Sequence, residues 1–159
     1  MWLIEPEDAA METPGQGGGG QGGEVVPGLL AGSYKFRSTD TRRLFVSFTR
    51  NGNDWYISAD TDLKANKIKV EQKGNGVILY YSVNRLKIYI SVNGSNQVVG
   101  VVNNDSYVWT IVPGAQSGQY FITASNGQVL SLPVSGGTGS AFTVEPQTQD
   151  ARKLWQFVP

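Results

Sequence analysis

Short runs in which apolar and polar residues alternate fill the chain from residue 28 onward, and clusters of Gly, Asn, Asp and Ser separate them. In 86-LKIYISV-92 every second residue is aliphatic, and the turn-forming cluster 93-NGSN-96 follows. Strict alternation over four to eight residues predicts a β-strand with one buried face, and the polar clusters predict tight turns. Because we find no convincing 3.6-residue apolar period, the pattern predicts an all-β fold.

A unit of four such runs recurs three times along the chain. The repeats start near residues 32, 76 and 118 and end near residues 72, 113 and 159, so the period is 41 to 46 residues. Four strands in each of three repeats predict a β-trefoil, in which a six-stranded barrel is capped by three hairpins. A β-sandwich needs no threefold repeat, and a propeller rarely has three blades.

Alignment of the repeats predicts the layers of a threefold core, because residues i and i+2 of a strand share a face. Trp109 and Trp155 open the last strands of repeats two and three, and Ile68 is their counterpart in repeat one. The other aligned sets, with one residue from each repeat, are Tyr34, Ile78 and Tyr120; Phe36, Tyr80 and Ile122; Leu44, Leu86 and Leu130; Val46, Ile88 and Leu132; and Val70, Ile111 and Phe157.

The first 27 residues break this pattern. Residues 15–23 contain only Gly and Gln, which is the composition of a flexible linker, and residues 1–26 hold five acidic residues without Lys or Arg. The net charge of the chain is zero, so the remainder is mildly basic. We predict an acidic arm (1–27) on a β-trefoil domain (28–159). The apolar tip Trp2-Leu3-Ile4 is a candidate for docking on a second copy, which would produce a homo-oligomer.

Composition excludes several kinds of chemistry. The chain has no Cys and no His, so the imidazole base, the thiol nucleophile and the commonest transition-metal ligands are missing. We therefore expect a non-enzymatic protein without a cofactor. The modest positive charge of the domain argues against nucleic acid, and no apolar run reaches the length of a membrane span. The start of the chain lacks the features of a secretory signal, which predicts a cytoplasmic location.

The last strand of each repeat carries a resemblance to a known family. The triplets 66-NKI-68, 107-YVW-109 and 153-KLW-155 resemble the Gln-x-Trp ends of ricin-B-like β-trefoil lectins, without the glutamine. The segments 103-NNDSYVWTIVPG-114, 118-GQYFITASNGQVLSL-132 and 154-LWQFVP-159 resemble small cytoplasmic mushroom lectins of the same class. That resemblance implies a fungal defence lectin for glycans that contain GlcNAc and fucose.

Candidate sugar-binding residues come from both kinds of reasoning. A pyranose needs an aromatic face and fixed polar groups. In 86-LKIYISV-92 the alternation turns Tyr89 away from the core, and its counterparts Ser47 and Pro133 are not aromatic, so a core role does not explain it. Tyr107 has Asn104 nearby as a hydroxyl partner. The resemblance implies that Ser106, Val108 and Trp109 line the glycan site, although Trp109 is also expected in the core.

Two other functions fit the same sequence. Mushroom β-trefoils include protease inhibitors, and the loops 50-RNGND-54 and 61-TDLKAN-66 are candidates for insertion into a protease cleft. The arm could instead make the chain a self-assembling structural protein. Five basic residues of repeat one form either a solvated face or a surface for an anionic partner; they are Lys35, Arg37, Arg42, Arg43 and Arg50.

Overall fold

Fourteen β-strands and two 3₁₀ turns make up the regular structure of residues 23–159, the part of the chain that the computed structural model describes. The 3₁₀ turns are Asp62–Lys64 and Ala151–Lys153. The strands are β1 (Glu24–Val26), β2 (Leu29–Leu30), β3 (Gly32–Ser38), β4 (Phe45–Asn51), β5 (Asp54–Asp60), β6 (Ile68–Lys73), β7 (Gly76–Val83), β8 (Leu86–Val92), β9 (Val98–Val102), β10 (Thr110–Pro113), β11 (Tyr120–Thr123), β12 (Val129–Ser131), β13 (Thr143–Glu145) and β14 (Trp155–Val158).

Only residues 23–27 of the predicted arm belong to the described part of the chain. Its Trp2-Leu3-Ile4 tip and most of the Gly-rich linker lie outside the described residues. Residues 24–26, which the sequence assigned to the arm, form β1 and pair with β2. Val25 and Val26 pack against the main core. Within residues 23–159, no helix has both the length and the apolar character needed to cross a membrane.

Six strands close a barrel. In the order β3, β6, β7, β10, β11 and β14, each strand pairs antiparallel with the next, and β14 pairs back onto β3. The β7–β10 step is a single bridge between Val77 and Trp109. Each repeat contributes its first and fourth strands to this ring. The predicted β-trefoil is therefore confirmed.

The second and third strands of each repeat form the three hairpins of the cap, β4–β5, β8–β9 and β12–β13. Backbone hydrogen bonds join these hairpins to one another: the Ala59 amide donates to the Ser140 carbonyl at 2.8 Å, and the Val98 amide donates to the Phe142 carbonyl at 3.2 Å. Ile57, Val98 and Phe142 are buried beneath them. The cap and the barrel therefore share one apolar core.

The two repeated tryptophans lie in the core, as predicted. Trp109 and Trp155 are fully buried, and each indole N–H donates to a backbone carbonyl in the second strand of its own repeat. The acceptors are Ile90 at 2.9 Å and Leu130 at 3.0 Å. An unsatisfied buried donor costs about 1–3 kcal/mol, so these bonds also hold the hairpins to the barrel. Ile68 fills the same position in repeat one and is also fully buried.

The predicted alignment of the first strand of repeat two is wrong by one residue. Tyr34 pairs with Ile68, Val77 bridges to Trp109, and Tyr120 pairs with Trp155. Val77 and Leu79 therefore belong to the main core, whereas Ile78 and Tyr80 lie in a separate cluster. Residues 77–81 are all apolar or aromatic, so alternation within the strand could not define its register.

The second strands of repeats two and three are also misaligned, here by two residues. Val46 pairs with Ala59, Ile90 pairs with Gly100, and Leu130 pairs with Val144. The equivalent residues are therefore Val46, Ile90 and Leu130, in place of the predicted Val46, Ile88 and Leu132. The turns between the first and second strands differ in length between the repeats, and this difference produced the error.

Gly76 tests the contact that closes the barrel. An added Cβ would overlap the carbonyl oxygen of Trp109 and lie 2.6 Å from Cγ1 of Val108. We expect Gly76→Ala to lower the free energy of unfolding by about 1–3 kcal/mol, the usual cost of overpacking. Gly94→Ala is the matched control, because nothing lies within 4 Å of its added Cβ. Denaturant unfolding measures both variants, and equal losses of stability would contradict this account.

Candidate functional site

Tyr89 does not offer an exposed ring. It lies outside the main core, as its alternation predicted, but its side chain is only 7% exposed. Tyr80 stands directly opposite on β7, with the ring centroids 5.1 Å apart, and Ile78 and Val108 complete a second apolar cluster. The prediction of an outward, solvent-facing Tyr89 is therefore corrected. The two β7 residues that cover its ring, Ile78 and Tyr80, are those that the one-residue error in the predicted alignment had assigned to the main core.

Charge and burial act on the hydroxyls of this second cluster. Burial raises the pKa of Tyr89, and the negative charges of Asp105 and Glu71 raise it further. Burial also raises the pKa of Tyr80, whose hydroxyl donates to Glu71 at 2.7 Å. Both rings therefore stay neutral and packed at physiological pH. They stabilise the hairpin and present no aromatic face to a ligand.

Tyr107 and Trp109 lie side by side, with ring centroids 5.3 Å apart. Trp109 is fully buried and its indole N–H is already bonded to Ile90. Tyr107 is half-buried, and its hydroxyl accepts hydrogen bonds from the amide and the hydroxyl of Ser125 at 3.3 and 3.2 Å. Trp109 thus has no group left for a sugar, whereas part of the Tyr107 ring remains accessible.

The polar residues of the predicted site lie on an exposed turn before β10. Asn104 and Ser106 are both exposed, and the Asn104 side-chain oxygen accepts the Ser106 amide at 3.0 Å. Lys73 holds Asp105 with a salt bridge of 3.1 Å. The structure therefore brings Tyr89 and Val108 into one cluster and places Tyr107 against Trp109. It leaves Asn104 and Ser106 on a surface turn.

A groove of about 970 Å³ lies elsewhere, where the cap strands β5 and β9 meet. Trp55 and Tyr56 from β5 line it, together with the valines of β9. Tyr56 is 51% exposed, compared with 7% for Tyr89. This groove thus has the accessible aromatic surface that the Tyr89 cluster lacks.

The two aromatic residues of the groove have different supports. On β5, Ile57 and Ala59 face the core, and Trp55 lies on the same face of the strand because it is two residues before Ile57. Its ring packs edge-on against that of Tyr81, with the ring centroids 6.2 Å apart. Tyr56 lies on the opposite face of the strand. Gly100 on β9 allows the two strands to approach closely, since an added Cβ would lie 3.2 Å from the Trp55 carbonyl oxygen.

Polar side chains surround the apolar floor of the groove. Its lining includes the carboxylates of Asp54 and Asp60, the amides of Asn53 and Gln97, and the hydroxyl of Thr49. The Asp60 carboxylate accepts a hydrogen bond from the Thr61 backbone amide at 2.8 Å, and the Gln97 side-chain oxygen accepts one from the Asn93 side-chain amide at 2.9 Å. The groups that could bind a ligand's hydroxyls are therefore partly held in place before binding.

Sequence reasoning missed this groove because it considered neither Trp55 nor Tyr56 as a candidate ligand-binding residue. A signal was present: two adjacent aromatic residues on a strand point to opposite faces, so one of them must leave the core. Tyr80 and Tyr81 are also adjacent aromatic residues on a strand. Tyr81 packs against the main core, whereas Tyr80 lies on the opposite face and is buried there against Tyr89. Sequence alone does not distinguish these outcomes.

No protein-family model and no curated protein matches the chain. Among solved structures, a salivary protein from Culex quinquefasciatus of the Cysteine and Tryptophan-Rich family is similar, with a TM-score of 0.61, 13% identity, and 80% of this chain and 93% of that one covered. ThreeFoil, a designed threefold symmetric protein, has a TM-score of 0.60, 13% identity and coverage of 80% and 98%. Cry35Ab1 has a TM-score of 0.53 and 18% identity; 80% of this chain matches only 35% of that chain. These similarities support the β-trefoil fold alone.

Tyr89 and Tyr56 should differ in their contribution to stability. We expect Tyr89→Ala to lower the free energy of unfolding by about 3 kcal/mol, as for other large buried aromatics. Tyr56→Ala should change it by less than about 1 kcal/mol, because half of that side chain is already in water. Thermal and denaturant unfolding measure both. Similar small effects at the two positions would contradict the buried assignment of Tyr89.

Proposed function

We propose that this chain is a non-enzymatic carbohydrate-binding module of the β-trefoil class, with its saccharide site in the groove between β5 and β9. The observation that carries the proposal is the half-exposed ring of Tyr56 in a groove lined by both apolar and hydroxyl-binding side chains. The C–H face of a pyranose packs well on an aromatic ring, and its hydroxyls need fixed donors and acceptors.

The shape and composition of the groove support this class of ligand. A groove of about 970 Å³ has the size of ordinary small-molecule sites and is large enough for a short oligosaccharide. Val99, Val101 and the partly exposed Val102 supply apolar surface beside Tyr56. Asp54 and Asp60 can accept hydrogen bonds from sugar hydroxyls, and Asn53 can both donate and accept.

The ligand, role and location follow the expectations from the sequence. We propose glycans or glycoproteins that contain GlcNAc and fucose as the partners, and a cytoplasmic defence protein of a fungus as the setting. The exposed turn of Asn104 and Ser106, with Tyr107 beside it, is retained as an alternative saccharide site. The groove is preferred because its aromatic ring is the more accessible of the two.

A glycan array tests the function, and two variants locate the site. We expect wild-type protein to bind at least one class of GlcNAc-, fucose- or galactose-containing glycan. Tyr56→Ala should weaken that binding at least tenfold, about 1.4 kcal/mol, through loss of the stacking surface. Tyr107→Ala should leave it unchanged. Loss in Tyr107→Ala alone would move the site to the 103–109 turn, and an array without any binding would reject the lectin function.

A second candidate function, protease inhibition, is favoured by one specific observation. Leu63 is 95% exposed at the tip of the loop between β5 and β6. Three hydrogen bonds hold the loop beneath it: Lys35 to Asp62 at 2.9 Å, Ser47 to the Lys64 carbonyl at 3.0 Å, and the Phe48 amide to Asn66 at 2.8 Å. A rigid loop with an exposed apolar residue suits insertion into a protease cleft.

Inhibition assays with papain-like, legumain-like and trypsin-like proteases test this alternative. If the loop inhibits one of them, Leu63→Asp should raise the inhibition constant at least a hundredfold, because a charge would replace the inserted apolar side chain. The control Leu30→Asp changes another exposed leucine, which is 54% exposed and far along the chain from the loop. Absence of inhibition in all three assays would eliminate the candidate.

A further inference from the structure

A small polar cleft lies between the first strand of repeat one and the last strand of repeat three. Its volume is about 280 Å³, and its lining consists of Arg37, Ser38, Thr39, Arg43, Gln119 and Gln156. Two of these residues are cationic and none is acidic. The cleft differs in this respect from the β5–β9 groove, whose charged lining residues are Asp54 and Asp60.

The two arginines of the cleft lack counterions in the part of the chain that the structure describes. Neither Arg37 nor Arg43 lies within 4 Å of a carboxylate there. By contrast, Arg42 forms a salt bridge of 2.7 Å with Asp40, and Arg152 lies 3.1 Å from Glu145. Asp40, the acidic residue nearest to both in sequence, is thus already paired with Arg42. Among the described residues, the two arginines therefore line a cleft that contains no acidic side chain.

Strand pairing holds one of these arginines in place. Arg37 on β3 stands directly opposite Gln156 on β14, and its Nε donates to the Gln156 side-chain oxygen at 3.0 Å. This bond uses one of the five guanidinium donors, and the others can form the two-pronged contact that suits an oxyanion. Because the bond anchors the side chain to the barrel, a ligand would find the guanidinium already positioned.

The backbone at the other arginine is strained. Arg43 has a φ of 52°, and its amide donates to the Asp40 carbonyl at 2.9 Å. The equivalent turn of repeat three has Gly127 with a φ of 87°, whose amide donates to Ala124 at 2.9 Å. Gly adopts this conformation without steric penalty. Repeat one therefore keeps a charged side chain in a left-handed conformation that Gly127 adopts in repeat three, and Arg85 has a similar φ of 67° in the corresponding turn of repeat two.

We propose that this cleft binds a single oxyanion group, a sulfate or a carboxylate, carried on a saccharide. The guanidinium groups of Arg37 and Arg43 would bind the anion, and the amides of Gln119 and Gln156 would bind neighbouring hydroxyls. The cleft accommodates about one sugar ring and has no aromatic lining on which a nucleobase could stack. The inference adds an anion-binding subsite to the proposed carbohydrate function. It depends on that function only for the claim that the anion is carried on a saccharide.

Two matched variants test the role of Arg43. Arg43→Gly removes the charge and relieves the backbone strain. Arg85→Gly does the same outside the cleft, because Arg85 is exposed and has a φ of 67° in the turn between β7 and β8. Calorimetric titration of the full chain compares three probes: N-acetylglucosamine 6-sulfate, unsulfated N-acetylglucosamine and sodium sulfate.

We expect the sulfated sugar to bind at least tenfold more tightly than either other probe. Arg43→Gly should remove this preference without loss of thermal stability, and Arg85→Gly should keep it. Higher salt should weaken binding of the sulfated sugar, since ions screen the attraction. Equal effects of the two variants, or no preference for the sulfated sugar, would overturn the proposal. Sodium sulfate that binds as tightly as the sulfated sugar would overturn the saccharide assignment.

The same titrations separate this inference from the proposed groove. Tyr56→Ala should keep the preference for the sulfated sugar, because that ring lies in the other site. A failure of the groove would appear as unchanged glycan binding in Tyr56→Ala, whatever Arg43→Gly shows. Loss of the sulfate preference in Tyr56→Ala would contradict a separate anion-binding subsite.

Discussion

The contact between the first and the fourth strand of each repeat determines the rest of the structure. It joins Tyr34 to Ile68, Val77 to Trp109 and Tyr120 to Trp155. These three contacts set the register of the barrel, and a shift of one residue would turn each strand's buried face toward solvent. The two indoles also bind carbonyls of their own cap hairpins. In repeats two and three, one position therefore helps to align both the barrel and the cap.

Both candidate sites arise where this threefold frame brings dissimilar residues together. The cap places β5 beside β9, and Gly100 allows the close approach that forms the groove under Tyr56. The barrel places β3 beside β14, which sets Arg37 against Gln156 at the edge of the polar cleft. The shared residues build the scaffold, whereas the residues that differ between repeats give each site its chemistry.

Much of the fold could be predicted, because its evidence is repeated. Alternation identified the strands, the period identified the trefoil, and the alignment of the repeats identified Trp109 and Trp155 as core positions. The candidate site could be predicted only in part. Tyr89 was correctly placed outside the main core, but Tyr80 covers it from the neighbouring strand. Trp55 and Tyr56 were missed, because adjacent aromatics on a strand show that one leaves the core without showing whether another residue covers it.

The sequence by itself determined the all-β class, the threefold repeat, the tryptophans of the core and the absence of histidine and cysteine chemistry. These are properties of composition and local order along the chain. Only the tertiary structure decided the register of residues 77–81, the burial of Tyr89 and the exposure of Tyr56. The reason is physical. Alternation indicates which face of a strand a side chain occupies, but that face is exposed to solvent only if no residues from other strands cover it.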